Sequence, residues 1–560
     1  MIVGLDMGGT HIDAVIIKDG NILNTVKKLN KSENVFQSIW TALEELLSGY
    51  DISKIKRVNL STTVSTNAIV ENKTSRVGMI IQSGPGLPHD FLACGQENAF
   101  ISGYVDHRGE IVKDLNPNEL QDALTLFKEK AIDNCCVVTK FSTRNPQVEL
   151  KIKSFMEKDF SPITMGHTLS GKLNFPRRVF TSYLNSAVYQ TFNNFSDNIK
   201  RSLEEKGIKA PIFILKADGG TMDLATAEQK PVETILSGPS ASLMGINALL
   251  DTKEDALLLD IGGTTTDIFF LAQGSPLFEP LGIKIASYNT LVRSVYSVSI
   301  ALGGDSCVSI KDGIIKIGPQ RKGLPFGLGG PEPTPTDAMI TLGMINAYDR
   351  ERSCSIMGVL GKQLGLSAED MAKAILSAMA DIIKTKVDSL LDEINSQPVY
   401  TIKELLHGKK IEPQLINIIG GPAKALKPIL SEKFCLPTYY PKNYDIANAI
   451  GAALVNPTAE INVHIDTWQG ILSVPELGIY EKSNKDYNLN SAKIKARKLL
   501  KKNAETMGIS DKDTTIEIIE ESSFNMIKGF STKGKNIRIR AQIKPGLIYK
   551  LKGGFKNDEG

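Results

Sequence analysis

Residues 4–13 read GLDMGGTHID, and residues 258–267 read LLDIGGTTTD. Each carries the pattern D-x-G-G-T: Asp6, Gly8, Gly9, Thr10 in one, and Asp260, Gly262, Gly263, Thr264 in the other. Glycine lets another group approach the main chain closely, and successive main-chain amides can point at an anion. The threonine hydroxyl adds a donor. A carboxylate alone repels phosphate, but a hard divalent cation between them takes oxygen ligands from both. The pattern therefore suits a phosphate held together with Mg²⁺. Two copies facing each other would grip a polyphosphate from both sides, as in a nucleotide cleft between two domains. A single D-x-G-G-T is as well explained by a tight strand turn. The second copy weighs against that, as does a Gly420-Gly421 turn ahead of a helix.

The elements around these turns read as strands. MIVGLD is a short apolar run, and Asp19-Gly20 joins two further apolar runs with a strong hairpin signal. The second copy, ALLLDIGGTTTDIFFLAQGSPLFEPL, repeats strand, glycine turn and strand, with a Gly274-Ser275-Pro276 turn expected next. Asp6 and Asp260 lie 254 residues apart, an offset that fits a duplicated domain and is too long for a solenoid repeat. Between the copies, VGMIIQSG and NCCVVTKFS read as strands. NELQDALTLFKEKAI reads as a helix capped by Asn116 or Asn118, and residues 179–207 as a long helix closed by Gly207. Beyond the second copy come a helix begun by Ser367, then strand, Gly-Gly turn and helix in LINIIGGPAKALKPILSEKF, then a small-residue helix in NYDIANAIGAALV. From about Pro457 the texture turns lysine-rich, and the alternating runs TTIEIIEES and KNIRIRAQI follow. This tail reads as a small α+β domain whose lysines form a solvated helix face.

The 560 residues exceed what one core usually supports, so two to four domains are expected. A net charge of +3 over this length implies no nucleic-acid or membrane partner. The six cysteines fall in no metal-ligand spacing, which points to a reduced, cytoplasmic setting. Neither a signal peptide nor an apolar run of transmembrane length is expected. There is no G-x-x-x-x-G-K-[ST] segment, and no G-x-G-x-x-G opens a helix, so neither a P-loop nor a dinucleotide fold is indicated.

Together these stretches resemble the actin, sugar-kinase and Hsp70 superfamily of ATP-dependent proteins. Within it they are most similar to the hydantoinase A and 5-oxoprolinase family, which includes acetone carboxylase β subunits. The resemblance rests on GLDMGGTHIDAVI, STTVSTNAIVENKTSRVGMI, FSTRNPQVE, KADGGTMDLATAEQKPVETILSGPSASLMG, LLLDIGGTTTDIFFL, SIALGGDS, PTPTDAMITLG and IIGGPAKAL, in that order across residues 1–455. It implies two ribonuclease-H-like α/β domains with an ATP cleft between them and a small α+β C-terminal domain. The expected divisions are 1–180, 181–456 and 457–560. It implies ATP-dependent chemistry on a small cyclic amide or carbonyl compound, with ATP and Mg²⁺ as cofactors. An oligomer and a separate hydantoinase B-type subunit are the expected partners.

By motif match, Asp6 and Asp260 would hold Mg²⁺ or its waters. Gly8, Gly9, Thr10, Gly262, Gly263, Thr264 and Thr265 would line the phosphates, and Asp6, Asp260, Thr10 and Thr264 would be the catalytic residues. Gly303 and Gly304 would face the nucleotide, and Gly420 and Gly421 would let adenosine lie against the backbone. His11, Asn67 and Arg178 are the candidates on the substrate side. Asp13 reads either as a supporting carboxylate or as the hairpin's polar face, and His167 as a solvent-facing loop residue. The sequence departs from the family at His11, at Asp305 within a run that is usually glycine, at SGPSAS, and after the asparagine–proline turn. The expected function is opening of a hydantoin, 5-oxoproline or related lactam. The rivals are an acetone-carboxylase-like subunit and a nucleotide-driven reactivating or binding protein.

Overall fold

A computed structural model describes residues 1–8, 11–29, 35–279, 281–345, 349–396, 410–507 and 515–551. The strand Ile2–Met7 runs antiparallel to His11–Lys18, which runs antiparallel to Asn21–Leu29. On its other side Ile2–Met7 pairs in parallel with Arg57–Thr62, which pairs in parallel with Ile212–Leu215. The second sheet repeats this plan. Ala256–Ile261 is antiparallel to Thr266–Ala272 and parallel to Leu415–Ile419, which is parallel to Thr438–Tyr439. These are two ribonuclease-H-like halves in a mixed α/β fold. The first sheet takes strands from both sides of residue 180, because Ile212–Leu215 completes it.

Turn chemistry explains both hairpins. Asp19 and Gly20 have φ of 49° and 83°, as a two-residue turn with both φ positive requires. In the second copy that turn falls at Gln273-Gly274, with φ of 50° and 72°. Ser275–Pro276 is instead the start of the next strand, so the turn lies one residue earlier than the sequence suggests. The predicted helices form with their caps. Asn116 accepts from the Asn118 amide, and the helix Phe175–Glu205 ends before Gly207 at φ 72°.

An all-parallel sheet lies beside the first half, in the order Ile163–Met165, Asn134–Thr139, Val77–Gln82, Glu97–Phe100. The C-terminal sheet has five antiparallel strands, from Glu460–Asp466 to the long pair Ile516–Lys528 and Ser531–Ile543. The helix Leu489–Thr506 packs on it through Ala492, Ala496 and Leu500, forming an α+β unit. No helix among the described residues is long and apolar enough to cross a membrane.

The two halves share a core. Ile2, Val15 and Ile17 of the first sheet cluster with Leu258, Phe269 and Leu271 of the second. The helices Ser237–Leu249 and Ala447–Leu454 complete the same cluster. These two helices meet at glycines. A Cβ on Gly245 would fall 2.1 Å from the Ala447 carbonyl oxygen, and one on Gly451 would fall 2.1 Å from that of Ala241.

Candidate functional site

Period-two alternation along the strands decides where the carboxylates point. Ile2 and Leu258 belong to the core shared by the halves, while Val3, Leu5, Leu257 and Leu259 face the separate cores behind each sheet. Asp6 and Asp260 keep the parity of Ile2 and Leu258, so both face the space between the halves. The same holds for Asp13, in register with Asp6, and Asp267, in register with Asp260. Asp13 and Asp267 are also 254 residues apart, so the repeat conserves both carboxylates of each hairpin.

The four groups sense one another. Burial pushes the Asp6 carboxyl up to about 7, with Asp13 and then Asp260 adding to the shift. Burial, then Asp260, raises Asp267 to about 7 as well. Burial also raises Asp260, against bonds donated by Ser242 Oγ at 2.6 Å and Asn448 Nδ2 at 3.3 Å. Asp13 is raised by burial although Lys27 Nζ sits 2.7 Å from its Oδ1. Lys27 also donates to the Asp445 carbonyl at 3.0 Å, tying the first hairpin to the second half.

A cation test follows from these groups. Asp6 Oδ1 is buried without a hydrogen-bond partner, which is costly unless a ligand meets it. Among the described residues no three His, Cys, Asp or Glu side chains form a metal cage. The residues therefore fit Mg²⁺ bound by one or two carboxylates, with phosphate and water completing its shell.

The turns themselves match. The Gly8 amide donates to the His11 carbonyl at 3.0 Å, and the Gly262 amide to the Thr265 carbonyl at 2.9 Å. Gly9 and Thr10 lie outside the described residues. Thr264 is exposed, and Gly262, Gly263 and Thr265 are half-buried. Gly303 and Gly304 lie directly against the second turn. The Gly304 amide bonds the Gly262 carbonyl at 2.9 Å, and a Cβ on Gly303 would fall 2.5 Å from Gly263. Gly420, at φ 92°, leaves no room for a Cβ, which would fall 2.2 Å from the Ile261 carbonyl oxygen. Gly421 beside it borders open space.

Asp305 lies over Gly263 and is held by Arg321 Nη2 at 3.0 Å and Thr336 Oγ1 at 3.2 Å. Arg321 Nη1 also donates to Thr264 Oγ1 at 3.1 Å. His11, from the first hairpin, is held below its usual range by burial, then Lys27, then Arg321. A first-half histidine thus feels a second-half guanidinium bonded to the second turn, which sets the two hairpins within electrostatic reach of each other.

Asn67 is exposed on the short helix Val64–Val70 and bonds Thr63 Oγ1 at 3.2 Å. Thr63 in turn donates to the Met7 carbonyl, which places this helix beside the first turn. Arg178 is spent elsewhere. Its side chain is fully buried, donating to the carbonyls of Lys172 at 2.8 Å and Thr139 at 3.2 Å. His167 is not solvent-facing: its Nδ1 lies 2.5 Å from Glu149 Oε2 inside the fold, because the short helix Gly166–Leu169 turns it onto a buried carboxylate. Sequence reasoning missed Lys27, Ser242, Arg321, Asn448 and Asp267. Of these, Asp267 was accessible through the 254-residue offset from Asp13; the others come from elements whose meeting no local pattern announces.

The hydantoinase/oxoprolinase family model matches residues 178–461, and its N-terminal-region model matches residues 2–160. The chain belongs to the hydantoinase/oxoprolinase family. The acetophenone carboxylase gamma subunit of Aromatoleum aromaticum is 24% identical over 61% of this chain and 53% of its own length. The caprolactamase subunit alpha of Pseudomonas jessenii is 21% identical over 76% of this chain and 65% of its own length. This family member thus spans about half to two thirds of those relatives. Its fold matches nucleotide-free acetone carboxylase and the ATP-dependent caprolactamase of Pseudomonas jessenii. Each match has a TM-score of 0.69 and 17% identity, over 99% of this chain and 88% of the other.

Proposed function

We propose that this chain is an ATP-dependent amidase that opens a cyclic amide, a hydantoin, 5-oxoproline or related lactam, by phosphoryl activation of its carbonyl oxygen. The observation that carries this reading is that Asp6, Asp13, Asp260 and Asp267 all face the space between the two halves, with the second glycine turn at the end of the Asp260 strand. An amide carbonyl is a poor electrophile. Transfer of the γ-phosphoryl of ATP to its oxygen releases ADP and turns that oxygen into part of a leaving group. Water addition at the same carbon and cleavage of the C–N bond open the ring as an acyl phosphate, which a second water hydrolyses. Overall, ATP, the lactam and two waters give the amino acid, ADP and phosphate.

The chain's part is positioning and charge compensation, which is most of what phosphoryl transfer needs. The amides of the glycine turns orient the polyphosphate. Arg321, anchored by Asp305, sets positive charge beside Thr264. Ser242 and Asn448 fix the Asp260 carboxylate, which with Asp6 would hold Mg²⁺. Bound there, Mg²⁺ would supply neutralisation of phosphate charge. His11, kept neutral, can accept a proton from water at the cleft. Gly421 leaves space for an adenosine against the main chain. Relatives named as subunits support an enzyme of more than one chain, and the partner we infer is of the hydantoinase B type.

The test is phosphate and nucleotide product analysis with lactams, hydantoins and ketones, with and without a candidate partner subunit. Lactam- or hydantoin-stimulated ADP formation supports the amidase. Ketone- and bicarbonate-dependent turnover yielding AMP would replace it with a carboxylase, a reading favoured by likeness to the acetophenone carboxylase subunit. Turnover indifferent to every small molecule would point to a nucleotide-driven binding protein.

A further inference from the structure

A cavity of about 320 Å³ lies between the parallel-sheet region and the C-terminal sheet. Its walls come from residues 143–144, 171–174, 462–464 and 538–540, with Leu281 and Leu291. None of them belongs to a glycine turn. Four cations line it, Arg144, Lys172, Arg538 and Arg540, against one carboxylate, Glu520. Glu520 is largely exposed and sits 3.7 Å from Arg540 Nη1, so it is already matched.

Arg144 is the decisive residue. It is 6% exposed, and its Nε has no hydrogen-bond partner. Burial, then Arg538, lower its pKa to about 9, with Asp466 opposing them only in part. Asp466 is shared: its Oδ2 lies 3.9 Å from Arg108 Nη2 and is hydrogen-bonded to neither arginine. One carboxylate between two guanidinium groups leaves positive charge uncompensated at this wall, which favours an anion there.

His464 lines the same wall and feels the guanidinium groups of Arg144 and Arg538. It is 6% exposed; burial, then Arg144, then Arg538, hold it well below its usual range, so it is neutral. Its Nε2 lies 3.0 Å from Asn536 Nδ2 and accepts from it, which puts the ring proton on Nδ1. That Nδ1 is buried with no partner. The Nε of Arg540 is likewise buried and unpartnered. The cavity's charged lining is therefore mostly cationic, within walls built from Leu173, Leu281, Leu291, Val463 and Ile539. Its volume exceeds what a bare inorganic oxyanion fills.

We propose that this cavity binds a small organic carboxylate with an apolar body, its carboxylate between Arg144 and Arg538 and its hydrocarbon on the leucine, valine and isoleucine walls. The site is separate from the nucleotide reading and does not rest on it. Arg144 and Arg538 come from different units of the fold, so occupancy would bridge the parallel-sheet region and the C-terminal sheet.

The test is calorimetric titration of the full chain with 4-methylpentanoate, with 4-methylpentanamide as its uncharged isostere and inorganic phosphate as the bare anion. The carboxylate should bind at least about tenfold more tightly than either control, and Arg144→Gln should remove its binding. Because Arg144 is buried, the exposed lip residue supplies a second variant: Arg538→Gln should weaken the carboxylate about threefold or more. Mg²⁺·ADP titrated into each variant reports separately on the glycine turns. Equal binding of the acid and its amide, phosphate binding as tightly as the acid, no binding of the acid, or unchanged affinity in Arg538→Gln would each overturn the proposal.

Discussion

A carboxyl group pushed up to about 7, as Asp6 is, makes the fold pH-sensitive. Burial is the main cause, Asp13 the next, and the ordinary value is 3.8. With the folded value raised, the folded state binds more protons than the unfolded one between those two limits. Stability is therefore full below about pH 3.8 and falls as pH rises towards about 7. Asp6→Asn keeps the shape and does not ionise. Without nucleotide it should be more stable than the parent at pH 8, by about 2–4 kcal/mol, and close to it at pH 4. Thermal melts at both values check this, and equal melting at pH 8 would contradict it. The same carboxylate should be indispensable to turnover. Asp6→Ala and Asp260→Ala should each lower Mg²⁺-dependent ATP cleavage by about a hundredfold or more while the far-ultraviolet circular dichroism stays unchanged. Unaltered turnover in both would remove the roles assigned to them.

At the scale of the element, the strand–turn–strand unit does its work through register. Pairing sets Asp6 opposite Asp13 and Asp260 opposite Asp267, and a one-residue slip would turn these carboxylates into the hydrophobic layers behind. The adjacent turn at 420–421 separates structural from functional glycine within two residues. Gly420→Ala would meet the Ile261 carbonyl oxygen and strain a positive φ, so it should lower the melting temperature by several degrees. Gly421→Ala has room, so the melting temperature should hold. If adenosine lies against that backbone, the same methyl should weaken nucleotide affinity by about tenfold, readable by titration with Mg²⁺·ADP. Unchanged affinity would move the adenosine elsewhere.

Across the whole molecule, the two halves meet through the crossing of Ser237–Leu249 with Ala447–Leu454, where Gly245 and Gly451 let main chains touch. Both helices also reach the cleft, through Ser242 and Asn448 on Asp260. A rotation of one half on the other would thus move the turns relative to each other while the shared core stays packed, which is hinge closure by a small shear. Mg²⁺ with a non-hydrolysable ATP analogue should reduce the radius of gyration seen by small-angle scattering; an unchanged radius would argue for a cleft fixed in one state. Gly451→Val should wedge the helices apart and cost about 2–4 kcal/mol in chemical denaturation.

The strands, the glycine turns, the duplication at 254 residues and the two carboxylates at their mouths can all be read from the order of residues. Each is a local pattern, legible because short-range backbone geometry and side-chain alternation are written in neighbouring residues. The direction in which Asp6 and Asp260 face was latent in the same alternation, but which face is the shared one depended on where the helices pack. Folding alone brings Lys27, Ser242 and Asn448 to the aspartates and Arg321 to Thr264, turns Arg178 and His167 into the interior, and sets Arg144 and His464 on one cavity. Residues 144 and 464 are 320 positions apart and share no motif. Their meeting is a product of how separate sheets stack, and burial without a partner is a property that appears only once the chain has closed around them.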